Sequence, residues 1–506
     1  MLNRLKNTIR DTFIYSLSNI TPKVVGVILL PLFTAKLVIN DFGNWDLIDN
    51  SIQILAEVVI LGQASSIIFL NNSKEFKEQK ETTLFTLSTF VFAFCAILVL
   101  TAELFTSKYS TFFEHSQFKA EYIRLTAYIV LLRVMNNLFL AKVRADEEAG
   151  YYSVVSIVKV LLMTGLTIYL VGYLNHGIEG ILLAALSAEL ITTIVLLFKI
   201  IPQIKISFSV SILSSAFRFG FPLLFSSLGF MLLNQSDRFI IKLLLGSKYV
   251  ALYGLGYRVA GVLNMFLVLP FSLGLLPIAY KYYGQHDDSR FFSKLMTYSA
   301  FVFVWGFVFL SLFSQEIVKV FAKKEDFGSV YLLIPIILLS YVFSGMRLTA
   351  SLGMMLTKNT KHIAWITIAA SALNIALNFI FIPIYGIMAA AVNTLVAFII
   401  FYMITQKLSY KYFKINYENS KLILMILTGS VLSAAIYLLP PINLFILASI
   451  KIFLVILFPV LLYLFDFYEQ SELDILLNPS KLIDFANGVI KGVEKPNTES
   501  ETQIRP

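Results

Sequence analysis

Residues 177–200 read GIEGILLAALSAELITTIVLLFKI. The run is apolar on every side and lacks the polar face of a helix at a soluble protein's surface. As a helix it rises about 36 Å, enough to cross a hydrocarbon core of about 30 Å. One charge, Glu189, sits near its centre, where ionisable groups are costly and functional by default. Residues 386–407, GIMAAAVNTLVAFIIFYMITQK, also open on Gly-Ile, at an offset of 209. A similar offset of 208 aligns Phe42-Gly43 with Val250-Ala251. Two agreeing offsets indicate an internal duplication.

The rest of the chain has the same character. Of 506 residues, 58% are hydrophobic and 14% charged, against about 25% charged in a soluble domain. The mean hydropathy is +0.79. Lipid can solvate that apolar surface; a wetted globular surface cannot. Fourteen spans are expected: 11–36, 48–70, 83–105, 121–141, 151–174, 178–200, 216–238, 249–279, 295–314, 330–356, 361–382, 386–407, 421–439 and 443–465. The expected fold is an all-α polytopic membrane protein. Residues 1–200 form an N-terminal lobe of six spans, 201–215 a connector, 216–410 a C-terminal lobe of six, 411–466 two extra helices and 467–506 a polar tail. An even repeat unit relates the lobes by an axis along the membrane normal.

Lys and Arg set the orientation. The loops on the side of the N-terminus carry twenty of them before the tail, and the opposite loops carry seven. Both termini are therefore expected in the cytoplasm. The net charge of +9 belongs to these loops, so no nucleic-acid partner is expected. The apolar run after Arg10 is too long for a signal peptide and reads as a retained first helix. The opposite loops, at most about 15 residues, hold no soluble domain. Leu473 to Val493 has the period of an interfacial helix, and Pro496 to Pro506 reads as disordered.

One cysteine, Cys95, and four scattered histidines offer no metal site. No Gly-Lys dipeptide occurs, which excludes a Walker A loop and a nucleotide-driven pump. No cofactor is expected. Energy would come from a proton or sodium gradient, the membrane potential or the substrate gradient.

The deep charges are the candidate site. Lys23, Arg133, Lys159, Arg258 and Arg347 are basic; Glu57 and Glu189 are acidic. Two carboxylates neutralise two cations and leave three, which argues for a hydrated cationic lumen that accepts an anion. Arg forks match phosphate oxygens and Lys adds a point charge, so a diphosphate suits the lumen. Glu57 and Glu189 either pair with the cations or serve in ion coupling. Asp237 and Arg238, near a span end, form a gate or an ion pair. Pro22, beside Lys23, permits a bend in the first span.

Three stretches carry a family resemblance. The first is Asn19-Ile-Thr-Pro-Lys-Val-Val-Gly with Asp41-Phe-Gly. The second joins Phe219-Gly-Phe-Pro-Leu-Leu, Leu233-Asn-Gln-Ser-Asp-Arg-Phe and Leu252-Tyr-Gly-Leu-Gly-Tyr-Arg-Val-Ala. The third joins Thr357-Lys-Asn-Thr-Lys, Leu373-Asn-Ile-Ala-Leu-Asn and Ile382-Pro-Ile-Tyr-Gly-Ile-Met-Ala-Ala-Ala. In order and spacing they resemble the bacterial polysaccharide biosynthesis (O-antigen) flippases of the multidrug/oligosaccharidyl-lipid/polysaccharide (MOP) exporter superfamily. The resemblance implies a MATE-like V-shaped bundle, six helices plus six plus two. It implies alternating access around a cationic cavity for an undecaprenyl-diphosphate-linked oligosaccharide, with the lipid tail near the last two helices. Lys23, Arg258, Asp237 and Arg238 lie inside the matched stretches; Arg133, Lys159 and Arg347 rest on the charge argument alone. The implied setting is a monomer in the bacterial cytoplasmic membrane, supplying O-antigen, lipopolysaccharide, capsule or exopolysaccharide. Membrane lipids and the pathway's polymerase and chain-length proteins are its implied partners.

Other functions fit less well. A multidrug/cation antiporter wants an acidic lumen. A membrane glycosyltransferase or polymerase wants a sizeable loop for sugar chemistry. A non-transporting scaffold leaves the buried charge unexplained.

The loop charges make a direct prediction. A phosphatase fused after Pro506 should be inactive and a fluorescent protein there should fold and glow; the opposite pattern would invert the topology.

Overall fold

The computed structural model describes residues 20–108, 119–438 and 443–470. Every described element is a helix. Along the chain run α1 (Leu30–Lys36), α2 (Ile39–Ile60), α3 (Gln63–Asn72), α4 (Lys80–Lys108), α5 (Ala120–Ala145), α6 (Ala149–Thr167) and α7 (Gly177–Ile200). Then follow α8 (Val210–Leu244), α9 (Ser247–Leu263), α10 (Leu269–Tyr282), α11 (Asp288–Leu312), α12 (Ser314–Phe321), α13 (Ile334–Ala350), α14 (Leu352–Leu356), α15 (Lys361–Tyr385), α16 (Ile387–Tyr410), α17 (Asn419–Ala435) and α18 (Leu444–Leu464). The chain divides into two units, residues 1–417 and 418–506.

Among the described residues, eleven helices are long and apolar enough to cross a membrane, or twelve with the bent pair α2–α3. These twelve correspond to twelve of the fourteen expected spans. The span at 11–36 is described only from residue 20, where it is helical. The span at 421–439 is α17, which has 17 residues. The tail helix expected at 473–493 and the disorder expected beyond it lie outside the described residues. Large side chains point outward along many helices; Phe198 is 78% exposed, as expected where the surrounding solvent is lipid.

Local chemistry explains the breaks. Leu61 and Gly62 both take positive φ, 50° and 74°, and bend α2 from α3 by 42°. Just before α10, Asn264–Val268 form a π turn. Pro270 follows at the start of α10 and has no N–H to continue the α ladder. Ser209 caps α8 by accepting from the Ile212 N–H. Gly177 and Gly386, the two glycines of the duplication, both have positive φ and open helices of 24 residues each, α7 at Gly177 and α16 one residue past Gly386.

In unit 1, α2 packs along α9, and α8 lies against both α3 and α15. Small residues permit the contact. A Cβ on Gly43 would stand 2.0 Å from the Ser247 carbonyl oxygen, and one on Gly62 would stand 2.3 Å from that of Gly220. Backbones thus touch near the start of α2 and at the bend itself. The helix most enclosed is the span Ile334–Leu356, with 78% of its apolar window buried. In unit 2, α17 packs on α18, which Asn443 caps by accepting from the Phe445 N–H at 2.9 Å.

Gly43→Val should force α2 from α9 and lower stability by at least about 1–3 kcal/mol, the usual cost of overpacking. Gly26→Ala, where an added methyl meets nothing within 4 Å, should change it little. Thermal unfolding of the two variants in detergent checks the contrast.

Candidate functional site

Asp46 lies two turns inside α2 and is 1% exposed. Its Oδ2 accepts from Arg238 Nε on α8 at 3.0 Å. Its Oδ1 accepts from Arg258 on α9, from Nε at 3.0 Å and Nη2 at 2.8 Å. Asp49, one turn further along the same face of α2, takes a bond of 3.0 Å from Arg258 Nη2. Asn50 donates its amide to the Asp46 carbonyl. The guanidinium carbons stack on rings: Arg238 lies 4.3 Å from the Tyr257 centroid and Arg258 lies 4.3 Å from that of Trp45. Two carboxylates thus face two guanidiniums, and α2 is tied to α8 and α9. We call this the carboxylate clamp.

The tie continues beside it. Lys242 and Ser247 both donate to Asn44 Oδ1, at 3.2 and 2.7 Å. At the same end of the bundle, Lys324 donates to the Leu37 carbonyl and Thr34 to the Phe321 carbonyl. Phe42 meets Phe327 edge-on at 5.6 Å.

The structure places each expected residue. Asp237 and Arg238 do not pair with each other. Neighbours on a helix point about 100° apart, so Arg238 turns to Asp46 while Asp237 faces α9, α15 and α16. There Asp237 accepts from Tyr253, Asn378 and Thr394 at 2.5, 2.8 and 2.9 Å. Arg133 and Lys159 share Glu189 at 2.9 and 3.0 Å, and Asn136 donates to the same carboxylate. This second cluster joins α5, α6 and α7. Glu57 accepts from Ser227 Oγ at 2.5 Å, across α2 and α8. Lys23 is exposed. Arg347 is 9% exposed and lies against Phe401 at 4.6 Å and Phe230 at 5.8 Å.

The expected surplus of three cations is therefore revised. Arg258 has two carboxylate partners that the sequence reading missed. The apolar run starts at residue 48, whereas α2 begins at Ile39, so Asp46 lies outside the expected span and Asp49 at its very edge. Their three-residue spacing on one helical face was the available signal. Of the five deep cations, Lys23 and Arg347 have no described carboxylate partner. The five do not converge on one point: Arg133 with Lys159, Arg258, and Arg347 stand in separate environments.

Helices of this length, connected in this order around buried ion clusters, make up an all-α polytopic membrane-protein fold. Solved structures share it. The chain aligns over 90% of its length with all of "Lipid II flippase MurJ, inward closed conformation", with a TM-score of 0.71 and 16% identity. It covers 94% of a multidrug resistance MATE family transporter of the MOP superfamily in its inward-facing conformation, using 78% of this chain, with a TM-score of 0.59 and 15% identity. A MOP superfamily transporter from Pyrococcus furiosus, whose binding pocket is described as reversed in polarity, aligns with a TM-score of 0.53 and 14% identity over 79% of this chain and 95% of that one. Comparison with curated proteins by sequence found no match. The family described as polysaccharide biosynthesis protein matches residues 8–283, more than half of the chain, and this protein belongs to it. The MatE family matches residues 222–380.

Asp46→Asn should strand the buried Arg238 guanidinium, leave Arg258 with Asp49 alone, and cost about 3–5 kcal/mol, the usual penalty for breaking a buried pair. Asp49→Asn should cost less than half of that, because Asp49 is 28% exposed and supports one cation only. Chemical unfolding in mixed micelles checks the ranking; equal losses would contradict it.

Proposed function

We propose that this protein is a flippase for a diphosphate-linked oligosaccharide on a polyprenyl lipid. It works by alternating access across a bacterial cytoplasmic membrane, with both termini in the cytoplasm. One observation carries the reading: the carboxylate clamp ties α2 to α8 and α9 through guanidinium–carboxylate bonds, in which a diphosphate would compete with the carboxylates. Arg258 stands at its edge, 22% exposed, while Arg238 is 5% exposed behind it. A phosphate arriving at Arg258 would replace Asp46 and Asp49 with oxygens of the same fork geometry. Asp46 would then lose half of its partners, and the hold of α2 on α9 would weaken where the helices touch. Substrate recognition and release of the closed end thus share one guanidinium.

Membership in a polysaccharide biosynthesis family and the likeness to a lipid II flippase support a lipid-linked glycan as cargo. The remaining charges take different roles in this proposal. Glu189 with Arg133 and Lys159 is a structural brace, since one carboxylate holds both cations and an asparagine. Glu57 lacks a cation among the described residues and bridges α2 to α8 through Ser227, which makes it the better candidate for ion coupling. Lys23, exposed and beside Pro22, would meet the headgroup early. The pathway's polymerase and chain-length proteins would receive the product.

The MatE match over 222–380 favours the antiporter as a second reading, and one experiment separates the two. In proteoliposomes, wild-type protein should expose a labelled undecaprenyl-diphosphate oligosaccharide on the far leaflet, and Arg258→Ala should slow this by about tenfold or more, the loss of a charge-assisted fork. Proton-driven efflux of cationic drugs with no lipid translocation would establish the antiporter. Polymer formed without translocation would establish a glycosyltransferase.

A further inference from the structure

Arg347 is the one deep cation that the proposed mechanism leaves idle, and its surroundings are unlike those of the rest. It sits on α13, in the most enclosed span, and is 9% exposed. Arg133, Lys159, Arg238 and Arg258 all have carboxylates within 3.0 Å. Arg347 has two aromatic faces, Phe401 of α16 and Phe230 of α8. A ring face attracts the cation but accepts no in-plane N–H bond. The Nε of Arg347 is buried with no acceptor.

The same helix pair holds other orphans. Thr349 on α13, and Tyr402 and Thr405 on α16, have buried hydroxyls without partners. Thr405 follows Phe401 by four residues, so it shares the face of α16 that covers the guanidinium. Tyr402 packs its ring 5.9 Å from Phe343 on α13. Each hydroxyl can donate, and the guanidinium can only donate. Buried donors without acceptors are rare and costly in native proteins. A full positive charge walled by aromatic rings, with a buried N–H that has no acceptor and further unpartnered donors on the same two helices, has the chemistry of an anion site.

We propose that Arg347 centres a buried anion site between α13 and α16 that takes one compact negative charge, a halide or a carboxylate. A diphosphate does not suit it. There is one cation here, not several. The inference does not rest on the flippase reading. Two sources supply this charge: a free ion, which would act as a fixed counter-ion, or a carboxylate on a transported sugar.

Thermal unfolding of the full-length protein in detergent tests it, at constant ionic strength over a sodium sulfate background. Sodium bromide and sodium glucuronate are titrated separately. A saturable rise in melting temperature with bromide marks a free ion, and one with glucuronate marks a sugar carboxylate. Either rise should vanish in Arg347→Met and persist in Arg347→Lys with an affinity about fivefold weaker or more, because Lys keeps the charge and loses the fork. If Arg347→Met does not fold, Arg347→Lys and the anomalous scattering of bromide in a crystal decide. No saturable response in the wild type, or one unchanged in both variants, overturns the proposal, as does a bromide peak away from Arg347.

Discussion

A guanidinium inside a membrane bundle needs an anion beside it, and Asp46 serves two of them. Removing either side of such a buried pair leaves a charge that neither lipid nor protein can solvate. Arg238 and Arg258 lie 192 and 212 residues away in sequence. The bond is therefore a long-range tie, and it decides where α2 can rest. With the charge satisfied, α2 settles against α9 closely enough that Gly43 meets the Ser247 backbone. Asn44, Ser247 and Lys242 then come within hydrogen-bonding reach. The second tie, from Thr34 and Lys324, closes the same end of the bundle.

A hydrophobic seam of equal area would hold α2 as well but would have no reason to release for an anion. Carboxylate and phosphate compete for the same fork, so the proposed substrate is also the ligand that would loosen the tie. The Glu189 cluster is built differently. Arg133, Lys159 and Asn136 surround one carboxylate, and all four residues lie within the first 200. In the proposed mechanism that contrast separates a brace from a gate.

Much of this was legible in the sequence. Apolar runs placed twelve spans, since lipid demands length and apolarity and little else. The glycines that lead the runs at 177 and 386 both have the positive φ that suits the residue. Glu189 was legible as a buried charge because it stands in mid-span. Asp46 was not. Hydropathy places a helix end where apolarity begins, and α2 starts nine residues earlier, on Ile39-Asn-Asp, with polar residues its neighbours bury. The pairing of Arg238 away from its sequence neighbour Asp237 was equally hidden, because it depends on which helices meet. The surplus of positive charge changed once Asp46 and Asp49 entered the count.

The central claim is that the end closed by Asp46 must open during transport. Asn44 and Ser247 meet across α2 and α9 at 2.7 Å, and the sole native cysteine, Cys95, is buried. Cysteines at both positions can be oxidised and reduced in the same proteoliposomes while lipid-linked oligosaccharide translocation is followed. Oxidation should stop translocation and reduction should restore it. Unchanged translocation by a fully cross-linked protein would contradict the claim.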